Sequence, residues 1–315
     1  MKLRQLGRSS LQVAPLAFGG NVFGWSADQP RSFELLDAFV DHGLNLIDTA
    51  DVYSAWVDGN QGGESETIIG NWLKKSGKRD KVVIATKVAK WASHPGLSPV
   101  NIKEAVDDSL RRLQTDHIDL YQSHEDDPKV PLEETLRAFD DLVKAGKVRV
   151  IGASNFEATR LADALKTSES NGLARYESLQ PEFNLLDRKG FEEALQPLCV
   201  SQGVGVISYY SLASGFLSGK YRSEADLAKS KARGGSVKKY LDERGLRVLA
   251  ALDQVSEAHG ATQAQVALAW VIAQPAIAAA IASATTVEQL ADLAKATTLV
   301  LSDTEVAALK EASSL

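Results

Sequence analysis

Apolar and β-branched residues come in short runs that alternate with longer stretches of helical period. The runs fall at 15–18, 44–47, 82–85, 118–121, 148–151, 178–179, 204–207 and 277–281. The amphipathic stretches fall at 31–42, 64–76, 99–113, 131–145, 157–165, 190–202 and 287–296. This alternation predicts strands that each lead into a helix. Most repeats are spaced by roughly 30 residues, the length of one βαβ unit. Strand–helix alternation implies a parallel sheet, and eight repeats imply an α/β fold of the closed (β/α)8 TIM barrel type rather than an open doubly wound sheet.

The punctuation agrees with that segmentation. Ser98-Pro99 reads as an N-cap followed by the first helical residue, and Val130-Pro131 again sets a proline at a helix start. Gly146, just past Lys144-Ala145, is expected in the left-handed conformation that ends a helix. Thr262 and Gln265 have capping-box spacing and open an apolar helix through Trp270. Two pieces fall outside the repeat. Residues 2–13, with Gly7-Arg8-Ser9-Ser10 in the middle, read as a β-hairpin that plugs the barrel floor. The interval 209–262 holds a polar loop at 229–235 and an extra helix, so the C-terminal third carries additional helices. No linker-like shift in composition divides the chain, and residues 1–315 read as one domain.

Composition narrows the function classes. At 44% hydrophobic and 24% charged residues, there is ample material for a buried core. A formal net charge of −6 with no Lys/Arg cluster argues against a nucleic-acid partner, although local groups can still bind an anionic cofactor. The single cysteine, Cys199, excludes a disulfide framework and, in an apolar run, reads as a small buried hydrophobe rather than a reactive thiol. The first residues lack a signal-peptide core and no apolar run is long enough to span a bilayer, so cytoplasm without membrane contact is the expectation. His42, His94, His117, His124 and His259 show no ligand-like spacing, and no metal is expected.

In a barrel of this kind, chemistry sits on the loops at the C-terminal ends of the strands. That filter leaves four complementary residues: Asp48 at the end of the second strand, Tyr53 in its loop, Lys87 at the end of the third and His124 at the end of the fourth. Each has an ordinary reading taken alone: a loop cap for Asp48, a rim packing residue for Tyr53, a solvated lysine for Lys87 and a structural histidine for His124. Together they make chemical sense. A free phenol, with pKa about 10, is a poor acid at neutral pH. An adjacent ammonium is expected to lower that pKa, and a carboxylate paired with the ammonium to hold it in place. A neutral histidine is expected to donate to a substrate carbonyl and polarise it. This is equipment for protonating a carbonyl oxygen as hydride reaches the carbon.

These residues sit in segments that resemble the aldo-keto reductase family over nearly the whole chain. Asn45-Leu46-Ile47-Asp48-Thr49-Ala50-Asp51-Val52-Tyr53 is similar to the family's signature around its aspartate and tyrosine. Gly63-Glu64-Ser65-Glu66, Ala85-Thr86-Lys87, Gln122-Ser123-His124, Gly152-Ala153-Ser154-Asn155, Leu179-Gln180-Pro181 and Leu212-Ala213-Ser214-Gly215 follow in family order. The resemblance implies a barrel that binds an extended nicotinamide cofactor, and the chain has no strand–GxGxxG–helix unit. It implies that Ser154, Asn155 and Gln180 bond the carboxamide and that Tyr209 stacks on the ring, with Gly20, Asn21 and Asp48 close to the nicotinamide. It implies Ser211, Leu212, Ser214, Gly215 and Lys220 along the pyrophosphate, with Arg233 in the same region, and Ser283, Thr285 and Gln289 at the adenosine ribose and its 2′-phosphate.

The chain departs from the family at the phosphate end. Many members present Lys or Arg to the 2′-phosphate, where Ser283 and Gln289 stand here, and the family's Glu-Asn pair near adenine becomes Asp292-Leu293. NADPH is the cofactor the resemblance implies, with NADH open. Trp25, Trp56 and Trp91 lie in strand-end loops, either as an aromatic wall for a small carbonyl substrate or as rim packing. The function expected is reduction of aldehydes or ketones to alcohols. A cofactor-binding sensor or accessory subunit, as among potassium-channel β-subunits, is the second reading, and a metal-dependent hydrolase or lyase ranks last.

Overall fold

A computed structural model describes residues 1–229 and 234–314. The chain opens with the antiparallel hairpin β1 (Arg4–Gln5) and β2 (Gln12–Val13). The barrel begins with β3 (Leu16–Gly19), β4 (Leu46–Asp48) and β5 (Val83–Val88). A small outer hairpin, β6 (Lys90–Trp91) with β7 (His94–Pro95), interrupts it. It continues with β8 (Ile118–Ser123), β9 (Val148–Ser154), β10 (Tyr176–Gln180), β11 (Gly205–Ser208) and β12 (Ile277–Ala282). β12 pairs back onto β3, closing eight parallel strands into a TIM barrel.

Helices α1 (Gln29–Asp41), α2 (Glu64–Ser76), α3 (Pro99–Leu113), α4 (Leu132–Lys144) and α5 (Ala158–Asn171) wrap the first five strands. The stretch expected as one helix at 190–202 is two, α6 (Lys189–Glu192) and α7 (Leu195–Gln202). Ala194, at φ −131°, breaks the ladder between them. The break puts Pro197 in the first turn of α7, where its missing N–H has no intrahelical role. After β11 come α8 (Gly234–Val237), α9 (Glu243–His259) and α10 (Gln263–Ile272), then α11 (Val287–Ala294) and α12 (Asp303–Ala312) after β12. The capping box of Thr262 with Gln265 and the N-cap of Ser98 on α3 are both present.

Strand alternation decides what faces the barrel axis. Leu46, Val83, Ala85, Leu120, Val150 and Ile207 form the inner core, while Ile47, Ile84, Tyr121, Ile151, Leu179 and Val206 pack outward on the helices. Leu6, Leu11 and Val13 of the hairpin join the inner cluster and seal its floor. Further along with the same parity, at the strand ends and just past β11, the inward positions become polar: Asp48, Lys87, Gln122, Ser154, Gln180 and Tyr209. One parity rule thus builds both the apolar floor and the polar mouth.

Close packing of α2 on α3 depends on Gly70, where a Cβ would strike the Arg112 carbonyl and the Leu113 backbone. We expect Gly70→Ala to destabilise the fold by about 1–3 kcal/mol, measured by urea denaturation. Leu6→Ala in the plug should cost about 2–5 kcal/mol.

Candidate active site

At the mouth, Lys87 Nζ spends its three donors on Asp48 Oδ2 at 2.7 Å, the Thr49 carbonyl at 2.8 Å and the Tyr53 hydroxyl at 3.0 Å. Lys87 is fully buried and Asp48 is 1% exposed, so the lysine is a satisfied interior charge rather than a solvated one. The Tyr53 hydroxyl also donates to Asp48 Oδ2, over a longer 3.4 Å. The tyrosine ring is half-buried and runs from the buried ammonium outward to the exposed Trp56. His124 lies beside it, ring centroids 6.0 Å apart, anchored by its backbone N–H, which donates to the Val88 carbonyl at 2.8 Å.

The electrostatics differ from expectation at one point. Burial, then the charge and hydrogen bond of Asp48, hold the Tyr53 phenol well above its ordinary value. Burial and the facing carboxylate outweigh the ammonium 3.0 Å away. Lys87 itself is drawn down by burial against the opposing pull of Asp48. His124 is held well below its ordinary range by burial and by Lys87 and Lys90, which leaves it neutral. Its Nδ1 is buried and has no hydrogen-bond partner among the described residues. The Nε2–H tautomer leaves a bare acceptor there rather than an unpaired donor, so Nε2 is the nitrogen able to donate.

The second oxygen of Asp48 reaches the next group of residues. Gln180 Nε2 donates to Asp48 Oδ1 at 2.8 Å, and Gln122 Nε2 approaches the same oxygen at 3.4 Å. Ser154 Oγ donates to the Gln180 carbonyl at 2.8 Å. Asn155, at φ +57°, donates to the His124 carbonyl at 2.8 Å and accepts from the Tyr209 hydroxyl at 2.8 Å. Ser154, Asn155, Gln180 and Tyr209 therefore adjoin the tetrad in one connected network.

A family model described as the aldo/keto reductase family matches residues 15–314. The chain belongs to the aldo/keto reductase family. It is 36% identical over 305 residues to "Uncharacterized oxidoreductase YrpG" of Bacillus subtilis (strain 168), covering 94% of this chain and 91% of that one. It is 35% identical over 275 residues to "Aldo-keto reductase YhdN" of the same organism, covering 85% and 78% respectively. A third relative is the "Probable voltage-gated potassium channel subunit beta" of Arabidopsis thaliana, 32% identical over 305 residues and 94% of this chain, 91% of that one.

The remaining aldo/keto reductase positions form two further groups. Next to β3 and β12, the Ser283 hydroxyl donates to the Gly19 carbonyl at 2.7 Å and to Asn21 Oδ1 at 2.9 Å. Gly20 is required there, since a Cβ would press on the Asp48 carbonyl 2.9 Å away. Thr285 donates to Gln289 Oε1 through its N–H at 3.0 Å and its hydroxyl at 3.1 Å, beside the α11 N-terminus capped by Thr286. After β11, Tyr210, Ala213, Ser214 and Gly215 all take positive φ, a strained run of the kind that shapes ligand-binding loops. Ser211 is buried on Ser208, Leu212 packs partly into the core, and Lys220 is exposed with its ammonium 5.1 Å from the Tyr221 ring. Arg233 lies outside the described residues.

Asp292, which stands in place of the first residue of the family's Glu-Asn pair, is engaged within the protein: it accepts from Thr262 Oγ1 at 2.9 Å and Gln265 Nε2 at 2.6 Å, tying α11 to the start of α10, and Leu293 is buried. Trp25 and Trp56 pack edge to face, 5.8 Å apart, with Tyr53 against Trp56. Trp91 instead packs on His94 and Arg112 and donates to the Gln61 carbonyl at 2.9 Å, so only Trp25 and Trp56 of the three stand together beside Tyr53. Gln122 was not among the sequence candidates. Its signal was a polar residue at an inward position of a strand buried throughout, in register with Lys87. Among the described residues no group of metal-ligating side chains occurs, and no helix is long and apolar enough to cross a membrane.

Removing one partner of a buried ion pair leaves the other uncompensated. Lys87→Met should therefore destabilise the protein by about 3–5 kcal/mol, read by chemical denaturation. The double variant Lys87→Met/Asp48→Leu should recover most of that loss.

Proposed function

We propose that this protein is an NADPH-dependent reductase of aldehyde and ketone carbonyls in which Tyr53 donates the proton. The observation that carries the reading is the Tyr53 hydroxyl held protonated 3.0 Å from a fully buried ammonium, beside a neutral histidine. The donor set fits a nicotinamide: Ser154, Asn155 and Gln180 offer both amide donors and amide acceptors, next to the flat face of Tyr209. When bound, the reduced nicotinamide supplies hydride to the carbonyl carbon.

The chain's own residues handle the oxygen. His124 donates from Nε2 to the carbonyl oxygen, which orients the substrate and polarises the C=O bond. The Tyr53 O–H bond breaks and its proton passes to the same oxygen. The resulting phenolate then lies 3.0 Å from the Lys87 ammonium, which stabilises it once the proton has gone. Asp48 keeps the ammonium charged and in place throughout. Trp25 and Trp56 line the substrate side and exclude water from the reacting oxygen.

At the far end, Ser283, Thr285, Gln289 and the α11 N-terminus hold the ribose 2′-phosphate with hydroxyl and N–H donors. Ser211, Leu212, Ser214, Gly215 and Lys220 would line the pyrophosphate, and Gly20 and Asn21 would border the nicotinamide. The Arabidopsis relative is called a channel subunit, and the second reading is an accessory subunit that binds the nicotinamide cofactor with little turnover.

Tyr53→Phe should lower turnover by about 10²–10⁴-fold while the NADPH dissociation constant, from fluorescence titration, stays within about threefold. Full activity in that variant sinks the assignment; wild-type binding without steady-state oxidation of NADPH on any aldehyde favours the second reading. Because neutral donors meet the 2′-phosphate, NADPH should bind more tightly than NADH by only about tenfold, or about 1.4 kcal/mol.

A further inference from the structure

One buried carboxyl has no part in the arrangement above. Asp51 is fully buried on the segment that joins Asp48 to Tyr53. Neither of its oxygens meets a hydrogen-bond donor among the described residues. The Val52 N–H pulls toward the anion less than burial and Glu66 oppose it, and makes no hydrogen bond to either oxygen. The Asp51 backbone is tied to the tetrad, its N–H donating to the Lys87 carbonyl at 3.3 Å.

The groups that face it come from several elements. Glu66 of α2 is paired with Arg112 of α3 at 2.6 Å, and its other oxygen accepts from Thr86 of β5 at 2.5 Å. Lys87 of β5 adds a second cation. Tyr121 of β8 adds a buried phenol whose hydroxyl also has no partner among the described residues and which feels the Asp51 charge. Tyr53 and Lys87 feel that charge as well, and Asp48 faces both of them. A carboxylate buried without donors takes up a proton instead of staying charged. Burial, then repulsion from Glu66, push Asp51 up to about 8, against which Arg112 and Lys87 pull more weakly.

We propose that Asp51 is a positioning residue for the reduction, a neutral carboxylic acid behind the tetrad whose ionisation weakens Tyr53 as a proton donor. The proposal rests on the reading of Tyr53 as the acid. While Asp51 is neutral, Lys87 has one close anion and its field is available to the phenolate that forms. When Asp51 loses its proton to solvent, a negative charge appears beside the phenol and raises its pKa. The same charge competes for the ammonium. The alkaline fall in reduction rate therefore belongs to Asp51, while Tyr53 is still protonated. Stability carries the same sign: the folded chain keeps a proton the unfolded chain releases, so stability is undiminished below about pH 4 and falls as pH rises to about 8.

The test measures kcat/KM for NADPH-driven aldehyde reduction against pH in the wild type, Asp51→Asn and Glu66→Gln. An infrared titration follows the carboxylic-acid C=O band in the same three proteins. In the wild type, the band and the rate should both disappear around pH 8. Asp51→Asn should lack the band and move the alkaline fall up by at least about one pH unit, with rates at neutral pH and below within about threefold. Glu66→Gln, which removes the facing charge, should move band and fall together to lower pH. If Asp51→Asn fails to fold, Glu66→Gln decides, since a merely structural Asp51 would leave the pH of the fall unmoved. A wild type without the band at neutral pH, or an alkaline fall unchanged in the variants, overturns the proposal. A band that titrates in a protein that reduces no carbonyl overturns the functional reading and the positioning role with it, leaving only the neutral acid established.

Discussion

The buried contact between Lys87 and Asp48 is the constraint around which the mouth of the barrel is arranged. Two charges taken out of water are tolerated only when their mutual geometry is good and their remaining hydrogen-bonding capacity is met. Here the ammonium is met by Asp48, a backbone carbonyl and a phenol, and the carboxylate by the lysine and two glutamine amides. Those partners come from β4, β5, β8, β10 and the loop after β4. The pair therefore depends on the relative register of strands that share no sequence proximity. An apolar floor sealed by the N-terminal hairpin keeps that register rigid beneath it.

The same pairing explains why the phenol is not acidified in advance. An ammonium whose field is opposed by a carboxylate at 2.7 Å offsets only part of the cost of forming a phenolate in a buried place. Its hydrogen bond to the Tyr53 oxygen, over 3.0 Å, is the part that remains. On the proposed reading, the phenol therefore keeps its proton until a substrate oxygen takes it. A histidine kept neutral by burial and by two nearby lysines fits this arrangement, since a charged imidazolium would compete with Lys87 for the same anion.

Most of the fold was legible because its signal is local and periodic. Strand parity and helix caps are written into neighbouring residues, and the runs at 64–76 and 99–113 coincide with α2 and α3. The tetrad was legible for the related reason that strand ends mark the mouth. What the sequence hid depends on distant partners. Asp51 looks like an ordinary loop aspartate until α2 and α3 close over it. Asp292 looks available to a ligand until Thr262 and Gln265, about thirty positions earlier, claim both of its oxygens. Trp91 resembles Trp25 and Trp56 in sequence context, yet Arg112 and Gln61 turn it to another face.

One contact ties together two jobs that are usually discussed apart. Gln180 reaches Asp48 with its amide nitrogen, while its backbone carbonyl accepts from Ser154. On the proposed reading, a change in how the chain grips the nicotinamide end is transmitted, through a single carboxylate, to the ammonium that faces the proton donor. The two traits would then be epistatic by construction. Evolution or engineering that alters cofactor recognition at this end would meet the chemistry at once.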